Sequence, residues 1–200
     1  MFGVAEMLKS VNLPFLTDKR INLPFEKTEM NKIAIVLVAL FFCFAACKKS
    51  DLGSTAEKAQ AAIDDKIISD YLAAHPELNA KRVDTTGVFY VVKDPGTDNT
   101  VYTASTRVTL SYTGRLLTSG QVFAASEGFN PTFSLSEVIR GWRVGIPQIK
   151  KGGTVRLLLP SRYAYGPYAQ PQLGVSFGLK GGLPGSAVLD FDIRLYDVVN

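Results

Sequence analysis

The C-terminal stretch of the chain, residues 187–199, alternates apolar and polar side chains with a period of two. Its apolar positions are Leu189, Phe191, Ile193 and Leu195, and the positions between them are Asp190, Asp192, Arg194 and Tyr196. Because successive side chains of a β-strand point to opposite faces, this pattern predicts a strand with one face in a core and the other in water. A parallel sheet is buried on both faces, whereas an antiparallel sheet can leave one face to solvent. The segment therefore predicts an antiparallel sheet with one packed face.

Three further segments, residues 87–94, 107–117 and 154–160, are rich in Val, Leu, Tyr and Phe. Turn sequences separate them, namely DPG, TSG and KGG, so the segments are predicted to be strands. Beyond Arg82 only SEVIRGWRVG has helix-like spacing, and its Ser136 is positioned to cap the helix. The expected fold is an α+β domain in which one short helix covers an antiparallel sheet.

Near the front of the chain, Lys32 precedes fourteen consecutive apolar residues, 33–46, and Cys47 follows them. A helix that spans a bilayer needs about 20 such residues, so this run better fits the hydrophobic region of a signal peptide. The sequence FAAC, with small residues before a cysteine, resembles the bacterial lipobox. Residues 30–46 are therefore predicted to be a lipoprotein signal peptide, with Cys47 as the lipidated first residue of the mature chain. The other cysteine, Cys43, lies in the removed segment, so no internal disulfide is expected.

The residues ahead of this signal, 1–29, fit no targeting pattern. We interpret them as the product of a start site assigned too far upstream, and the alternative is a genuine long basic leader. In either case they are excluded from the fold prediction. After the signal, residues 47–53 are short and polar, which is typical of a flexible tether.

Residues 54–82 are predicted to be an amphipathic helix and a linker, ahead of a domain that covers residues 83–200. Apolar residues recur at intervals of four, at Ala59, Ile63, Ile67 and Tyr71, and predict a helix over 54–74. Ser54 is a plausible N-cap, because Glu57 follows three residues later. The apolar stripe is expected to cover the following domain, and the alternative is that it pairs with a second copy of the chain.

Charge and histidine content bear on nucleic-acid and metal binding. The net charge of +4 comes from 22 basic and 18 acidic residues spread along the 200-residue chain, without a basic stripe. Nucleic-acid binding is therefore not expected. His75 is the only histidine, and nothing nearby in the sequence offers a second metal ligand, so it is interpreted as a solvated residue at the helix end. No metal site and no cofactor are predicted.

Four motifs in the second half of the chain occur in a specific order. They are VTLSYTGRLLTSGQVFAAS, FSLSEVIRGW, VRLLLPSRYAYG and LPGSAVLDFDIRLYDV. In order and approximate spacing they resemble the FKBP-type peptidyl-prolyl isomerases, from about Asp84 to the C-terminus. The resemblance implies a twisted antiparallel half-barrel sheet wrapped on one short helix. It also implies an apolar pocket between the two that takes a prolyl ring.

The resemblance implies which residues line that pocket. The family's pocket positions are matched by Tyr112, Phe123, Val138, Ile139, Trp142, Tyr165 and Phe191, and by a looser match at Leu183. In the family the tryptophan forms the pocket floor, which places Trp142 there. The Tyr165 hydroxyl and the backbone N–H of Ile139 are the implied donors to bound carbonyls. With Phe123, these residues form the implied catalytic set, whereas Tyr163 is expected to pack in the core.

The chain departs from the family pattern in the following places. Ala124 stands where the family usually has an aspartate after the phenylalanine, so one pocket wall lacks a carboxylate. Pro131 stands where a second aromatic residue is expected ahead of Phe133. Residues 166–184 form a longer loop than the compact family members have, which is interpreted either as an apolar flap for unfolded chains or as a packed insertion.

The expected function is peptidyl-prolyl cis–trans isomerisation in exported proteins, which would assist their folding. The alternative is a chaperone-like lipoprotein that binds proline or unfolded chains with little or no turnover. The expected partners are proline-containing unfolded or exported polypeptides, and a membrane through the N-terminal lipid. A monomer in the bacterial cell envelope, facing the periplasm or the cell surface, is the favoured state.

Overall fold

The computed structural model of the protein describes residues 52–200, and from Thr55 onward it also describes the side chains. These residues belong to one compact unit. The signal peptide, the lipidated Cys47 and the leader interpretation of residues 1–29 lie outside the described residues and stay predictions. No helix within the described part of the chain combines the length and the hydrophobicity needed to cross a membrane.

The described residues form two α-helices and seven strands. The helices are α1 (Leu52–Ala74) and α2 (Arg140–Gly145), and the strands are β1 (Lys81–Arg82), β2 (Phe89–Asp94), β3 (Arg107–Leu116), β4 (Val122–Ala125), β5 (Thr132–Ser134), β6 (Thr154–Leu159) and β7 (Leu189–Val199). Short 3-10 turns occupy Pro76–Leu78, Ile146–Gln148, Ser161–Tyr163 and Val175–Phe177. The strands form one sheet in the order β1-β2-β6-β7-β3-β4, and β5 pairs with β3. All pairings are antiparallel, which confirms the predicted α+β class.

Each of the four predicted strands is present, with ends that differ by at most two residues from the predicted ranges. Thus β2 begins at Phe89 rather than at residue 87, and β6 ends at Leu159, ahead of Pro160, whose missing N–H cannot extend the ladder. The strands that sequence periodicity missed are β1, β4 and β5, which are two, four and three residues long. Segments this short do not complete a recognisable alternating pattern, so their pairing partners define them.

Helix α1 begins at Leu52, so the predicted N-cap Ser54 lies inside it and the predicted tether of residues 47–53 is too long at its C-terminal end. The predicted stripe is also rotated, because Ile63 is 54% exposed while its neighbour Asp64 is fully buried. The inward side of the helix includes Asp64 and Ile68, and Ile68 packs with Leu158 of β6. The helix therefore covers the domain, but through a face that includes an aspartate.

This packing changes the interpretation of the sheet's second face. Along β6, Leu157 and Leu159 belong to the main core with α2, whereas Leu158 joins the cluster under α1. Since neighbouring residues of a strand point to opposite faces, the two helices lie on opposite faces of the sheet. Asp190 of β7, predicted to face water, is only 6% exposed because the α1 side covers it.

Helix α2 starts at Arg140 with Ile139 at the N-cap position, so the prediction that Ser136 caps it is wrong. The helix approaches β6 closely. A Cβ built on Gly141 would lie 2.6 Å from Cδ1 of Leu159, and one built on Gly145 would lie 2.5 Å from Cδ1 of Leu157. The two glycines that bracket Trp142 therefore let the helix seat the indole against the sheet.

Candidate active site

An aromatic cluster fills the space between α2 and the sheet. The indole of Trp142 meets three rings edge-on, with centroid distances of 5.1 Å to Tyr112, 5.3 Å to Phe191 and 5.9 Å to Phe133. Edge-to-face pairs in this distance range are favourable because the positive edge of one ring lies over the negative face of the other. Trp142 is only 5% exposed. The indole is therefore fixed from three sides by β3, β7 and β5.

Phe123 of β4 extends this cluster away from the helix. Its ring lies 5.6 Å from that of Phe191 and 6.4 Å from that of Tyr165, both at nearly right angles. Gly114 makes room for these rings, because a Cβ there would lie 2.6 Å from Cε1 of Phe191 and 2.9 Å from Cζ of Phe123. The glycine of the YTG sequence is therefore a packing requirement, which sequence inspection did not assign.

All eight residues predicted to line the pocket lie in one apolar cluster. Phe123, Val138, Trp142, Leu183 and Phe191 are buried within it, and Tyr112, Ile139 and Tyr165 are partly exposed at its edge. Leu183 is fully buried, and its backbone pairs with Gln170 at the base of the 166–184 loop. The structure thus brings the predicted set together, with three residues that remain accessible to a ligand.

Polar groups at this edge are free of internal partners. Within residues 52–200, neither the Ile139 N–H nor the Tyr165 hydroxyl has a hydrogen-bond partner. Burial, and secondarily the electrostatic influence of Tyr112, raises the pKa of Tyr165 above its ordinary value. Burial likewise raises the pKa of Tyr112. Both phenols therefore keep their protons at neutral pH and can donate to a carbonyl oxygen.

The indole Nε1 of Trp142 is the one buried side-chain nitrogen or oxygen without a hydrogen-bond partner in the described part of the chain. A buried donor without an acceptor is unfavourable, since it has lost its bond to water and gained none. An unsatisfied group of this kind calls for an explanation, and a functional role is one of the recognised ones. The cluster around Trp142 therefore carries donors on the indole, on Tyr165 and on the Ile139 backbone.

Two neighbouring positions refine the predicted site. Ala124 pairs with Gly114 across β3 and β4, so the wall position next to Phe123 carries only a methyl group. Pro131 leaves the expected second aromatic absent ahead of Phe133, but the Phe133 ring itself joins the cluster, at centroid distances of 5.9 Å from Trp142 and 6.4 Å from Tyr112. Sequence reasoning did not place Phe133 in the pocket. The sequence signal that could have indicated it is an aromatic residue three positions before the SEVI motif, in a short strand.

The loop of residues 166–184 packs against the domain and also exposes apolar side chains, while a role as a flap for unfolded chains stays a prediction. Its inner residues, including Leu173 and Leu179, pack into the main core, and its Val175–Phe177 turn lies against β4. Its outer residues are solvent-exposed, at 77% for Tyr168 and 55% for Val175. The loop is thus a packed insertion that presents apolar side chains outward near Phe123.

A concavity of about 390 Å³ lies mainly on the opposite face of the sheet, and Tyr112 also borders it. Hydroxyl and charged side chains line it, including those of Ser111, Thr113, Asp192 and Arg194. Asp192 is already paired with Lys93 at 2.5 Å and Arg115 at 2.8 Å, which hold its pKa below the ordinary value although burial acts to raise it. This polar surface does not suit a prolyl ring, so the aromatic cluster is the better candidate site.

Comparison with known proteins identifies the family of the chain. A family profile described as FKBP-type peptidyl-prolyl cis-trans isomerase matches residues 99–196. FK506-binding protein 1 of Saccharomyces cerevisiae is 36% identical over 108 residues, which are 52% of this chain and 86% of that protein. The chain belongs to the FKBP family. The matched segment of this FKBP includes every residue of the aromatic cluster.

Bacterial members of the family extend the similarity toward the N-terminus. FkpA of Escherichia coli K12 is 31% identical over 157 residues, which are 78% of this FKBP and 53% of that protein. A crystal structure of FkpA from Escherichia coli superposes with a TM-score of 0.56 at 28% identity, covering 88% of this chain and 74% of the other. A peptidyl-prolyl cis-trans isomerase structure from Pseudomonas syringae gives a TM-score of 0.57 at 25% identity, covering 72% and 96%.

These comparisons support the α+β fold and the family, but they cover only part of the length of the bacterial relatives. The chain spans about half the length of the bacterial relatives it matches, at 48% and 50% of two FkpA proteins of Buchnera aphidicola. The substrates of those longer proteins are therefore not assigned to this FKBP by similarity alone, and its own substrates are proposed below.

Proposed function

We propose that this FKBP catalyses cis–trans isomerisation of X–Pro bonds in exported polypeptides and so assists their folding. The observation that carries the proposal is the aromatic cluster around Trp142, bordered by two donors that have no partner among residues 52–200, the Tyr165 hydroxyl and the Ile139 N–H. An apolar surface suits a prolyl ring, and the two donors suit the carbonyl groups that flank it. Family membership supports the same assignment.

The chemistry of the reaction fits a site of this composition. Rotation about a peptide bond has a barrier of about 18–20 kcal/mol because amide resonance is lost as the bond twists. No bond to another atom is made and no proton is transferred, so the site must bind the twisted amide better than the planar one. Each 1.4 kcal/mol of differential binding gives about a tenfold rate increase.

The individual residues then have distinct roles in this mechanism. Trp142 supports the prolyl ring from below, and Phe123 forms a wall beside it. The Tyr165 hydroxyl and the Ile139 N–H donate to the backbone carbonyls next to the proline and hold the peptide while the X–Pro bond turns. A tyrosine with its ordinary pKa of about 10 is already protonated at neutral pH, and burial raises the pKa of Tyr165 further, so its donor role is available throughout the neutral range.

A second candidate function is favoured by Ala124. Without a carboxylate at this wall, the pocket would bind proline-containing or unfolded chains and turn them over slowly or not at all. In that case the exposed Tyr168 and Val175 of the long loop extend the binding surface. The protein would then act as a chaperone-like binding module.

The cellular setting is proposed from the N-terminal sequence. The apolar run of residues 33–46 and the FAAC sequence support cleavage before Cys47 and attachment of a lipid to that cysteine. The domain would then be held at a membrane of the bacterial cell envelope, where it meets newly exported chains. Mass spectrometry of the mature N-terminus tests this directly, and an unmodified or uncleaved Cys47 contradicts it.

The activity is tested with the chain that starts at Lys48, shown to be folded by circular dichroism. We expect it to accelerate the cis-to-trans conversion of an X–Pro peptide above the rate in buffer. We also expect proline peptides to change the fluorescence of Trp142, the single tryptophan of the sequence. A folded sample that alters neither the rate nor the fluorescence contradicts both functions, and a fluorescence change without rate acceleration selects the binding module.

Restoring the wall carboxylate separates the two functions further. We expect Ala124→Asp to keep the fold, because Ala124 is only partly buried, and to change kcat/KM by less than about tenfold. The reason is that a wall contact contributes to binding but transfers no proton. Ala124→Asn is the matched control for size and polarity without charge. A gain far above tenfold for the aspartate alone would show that the natural chain is a weak isomerase.

A further inference from the structure

The feature that points beyond the pocket is a buried carboxylate on α1. Asp64 is fully buried. Its Oδ2 accepts hydrogen bonds from the backbone N–H of Ser161 at 2.9 Å and from the Ser161 hydroxyl at 2.6 Å, and its Oδ1 accepts one from Nε2 of Gln60 at 2.8 Å. No cation lies within salt-bridge distance of it in the described residues. A carboxylate removed from water and served only by neutral donors is an unfavourable choice for stability alone.

The partner of Asp64 organises the turn that carries Tyr165. The carbonyl oxygen of Ser161 accepts the N–H of Ala164 and the N–H of Gly166, each at 2.9 Å. These two residues flank Tyr165 on either side. Asp64 thus fixes both donors of Ser161, and the carbonyl of Ser161 fixes both neighbours of the pocket tyrosine.

The next residue along the turn is also attached to α1. The guanidinium of Arg162 donates to Oδ1 of Asp65 at 2.7 Å and to the carbonyl oxygen of Ala61 at 3.4 Å. It donates as well to the carbonyl oxygen of Thr86, ahead of β2, at 3.2 Å. Two successive residues of the turn, Ser161 and Arg162, are therefore held by one face of the helix.

The backbone after this point needs such support. Ala164 has φ −112° and ψ −114°, outside the regular helical and extended regions, and Gly166 has φ +73°. Conformations of this kind persist only where the surroundings impose them. In this FKBP the surroundings include a helix that precedes the catalytic domain by sequence, since Asp64 and Ser161 are 97 positions apart in the chain.

We propose that Asp64 is a positioning residue for Tyr165, so that α1 contributes to the geometry of the prolyl pocket. The kinetic side of the proposal rests on the proposed isomerase function. Its structural side, that Asp64 orders the turn of residues 161–166, does not.

The test compares Asp64→Leu with Asp70→Leu in the full chain. Leucine has the same branched shape as aspartate, with methyl groups in place of the two carboxylate oxygens, so it leaves both Ser161 donors without an acceptor. Asp70 is the matched control, because it lies on the exposed side of the same helix and, among the described residues, its carboxylate pairs with Lys66 alone. We expect amide exchange at Ala164 and Gly166 to be at least about tenfold faster in Asp64→Leu than in the control. We expect kcat/KM to fall by about tenfold or more, because a misplacement of about 1 Å can cost a hundredfold.

Two companion variants separate positioning from general stability. In Asp64→Asn the amide oxygen can still accept both Ser161 donors while the amide N–H₂ meets the rotated side chain of Gln60, so kcat/KM should recover to within about twofold of the natural chain. In a Tyr165→Phe background, Asp64→Leu should lower kcat/KM by less than about twofold, because the group it positions is gone. If Asp64→Leu does not fold, Ser161→Ala, which removes only the hydroxyl donor, takes its place in the same comparison.

The outcomes are distinct for the two proposals. Unchanged amide exchange at Ala164 and Gly166, or an equal loss of kcat/KM with and without the Tyr165 hydroxyl, overturns the positioning role. If the natural chain binds proline peptides without turning them over, the isomerase function fails instead. Asp64→Leu is then compared in the natural and the Tyr165→Phe backgrounds by the dissociation constant of a proline peptide, measured through Trp142 fluorescence. An equal loss of affinity in both backgrounds again overturns the positioning role.

Discussion

Trp142→Ala is expected to lower the free energy of unfolding by about 3–5 kcal/mol, the usual cost of removing a large buried aromatic side chain. The indole contacts rings from β3, β5 and β7, so its removal leaves a cavity bounded by a rigid sheet that cannot collapse to fill it. The loss should be measured by urea denaturation followed by far-UV circular dichroism, because the variant has no tryptophan to report on unfolding.

The same substitution removes the proposed floor for the prolyl ring. Under conditions where the variant is folded, kcat/KM should fall by at least about tenfold, or 1.4 kcal/mol of transition-state stabilisation. Leu110→Ala is the matched control, because Leu110 is fully buried in the same core but lies outside the aromatic cluster. It should lose about 2–5 kcal/mol of stability and keep its kcat/KM. Equal catalytic losses in both variants would mean that Trp142 contributes only to folding.

The sequence allowed the sheet, the short helix and the aromatic pocket to be predicted for a physical reason. The alternation along β7 determines which of its residues enter the core, and the four FKBP motifs place the pocket aromatics on strands, on α2 and on the turn after Tyr163. The function of Gly114, Gly141 and Gly145 could not be predicted this way, because it depends on which rings and leucines approach them in three dimensions. Phe133 was missed for a related reason, since β5 is defined by pairing with β3.

The position of α1 could be predicted only in part. Helical periodicity predicted an apolar stripe that includes Ile63. In the structure Ile63 is exposed, and its neighbour Asp64 is buried instead. Hydrophobicity alone assigns an aspartate to solvent, and the donors that make its burial possible lie 97 residues away. Asp190 was placed in water for the same reason. Both errors fall where α1 contacts the domain, an interface determined by specific polar pairs.

Asp190→Ala is expected to produce the second large effect, a loss of about 3 kcal/mol in unfolding free energy, because it leaves the largely covered Arg156 side chain, 16% exposed, without its charge partner. The two side chains form a bidentate pair, with Nε and a terminal nitrogen of Arg156 each 2.9 Å from an oxygen of Asp190. The same guanidinium donates to the Tyr71 hydroxyl of α1 at 2.7 Å. If Arg156 moves after its partner is removed, the hydrogen bond to Tyr71 should weaken as well. Amide exchange along α1 should then become faster.

The comparison that isolates this charge is a double variant, Arg156→Met with Asp190→Leu. Replacing both members of a buried pair by apolar residues of similar size is often neutral or stabilising, so the double variant should recover most of the stability that Asp190→Ala loses. Asp197→Ala serves as the control on the same strand, because its 2.6 Å pair with Lys151 is exposed and screened by water, and little change is expected. If Asp190→Ala proves no more damaging than Asp197→Ala, the Arg156–Asp190 pair does not connect α1 to the sheet. If the double variant is as unstable as the single one, the loss comes from packing and not from charge.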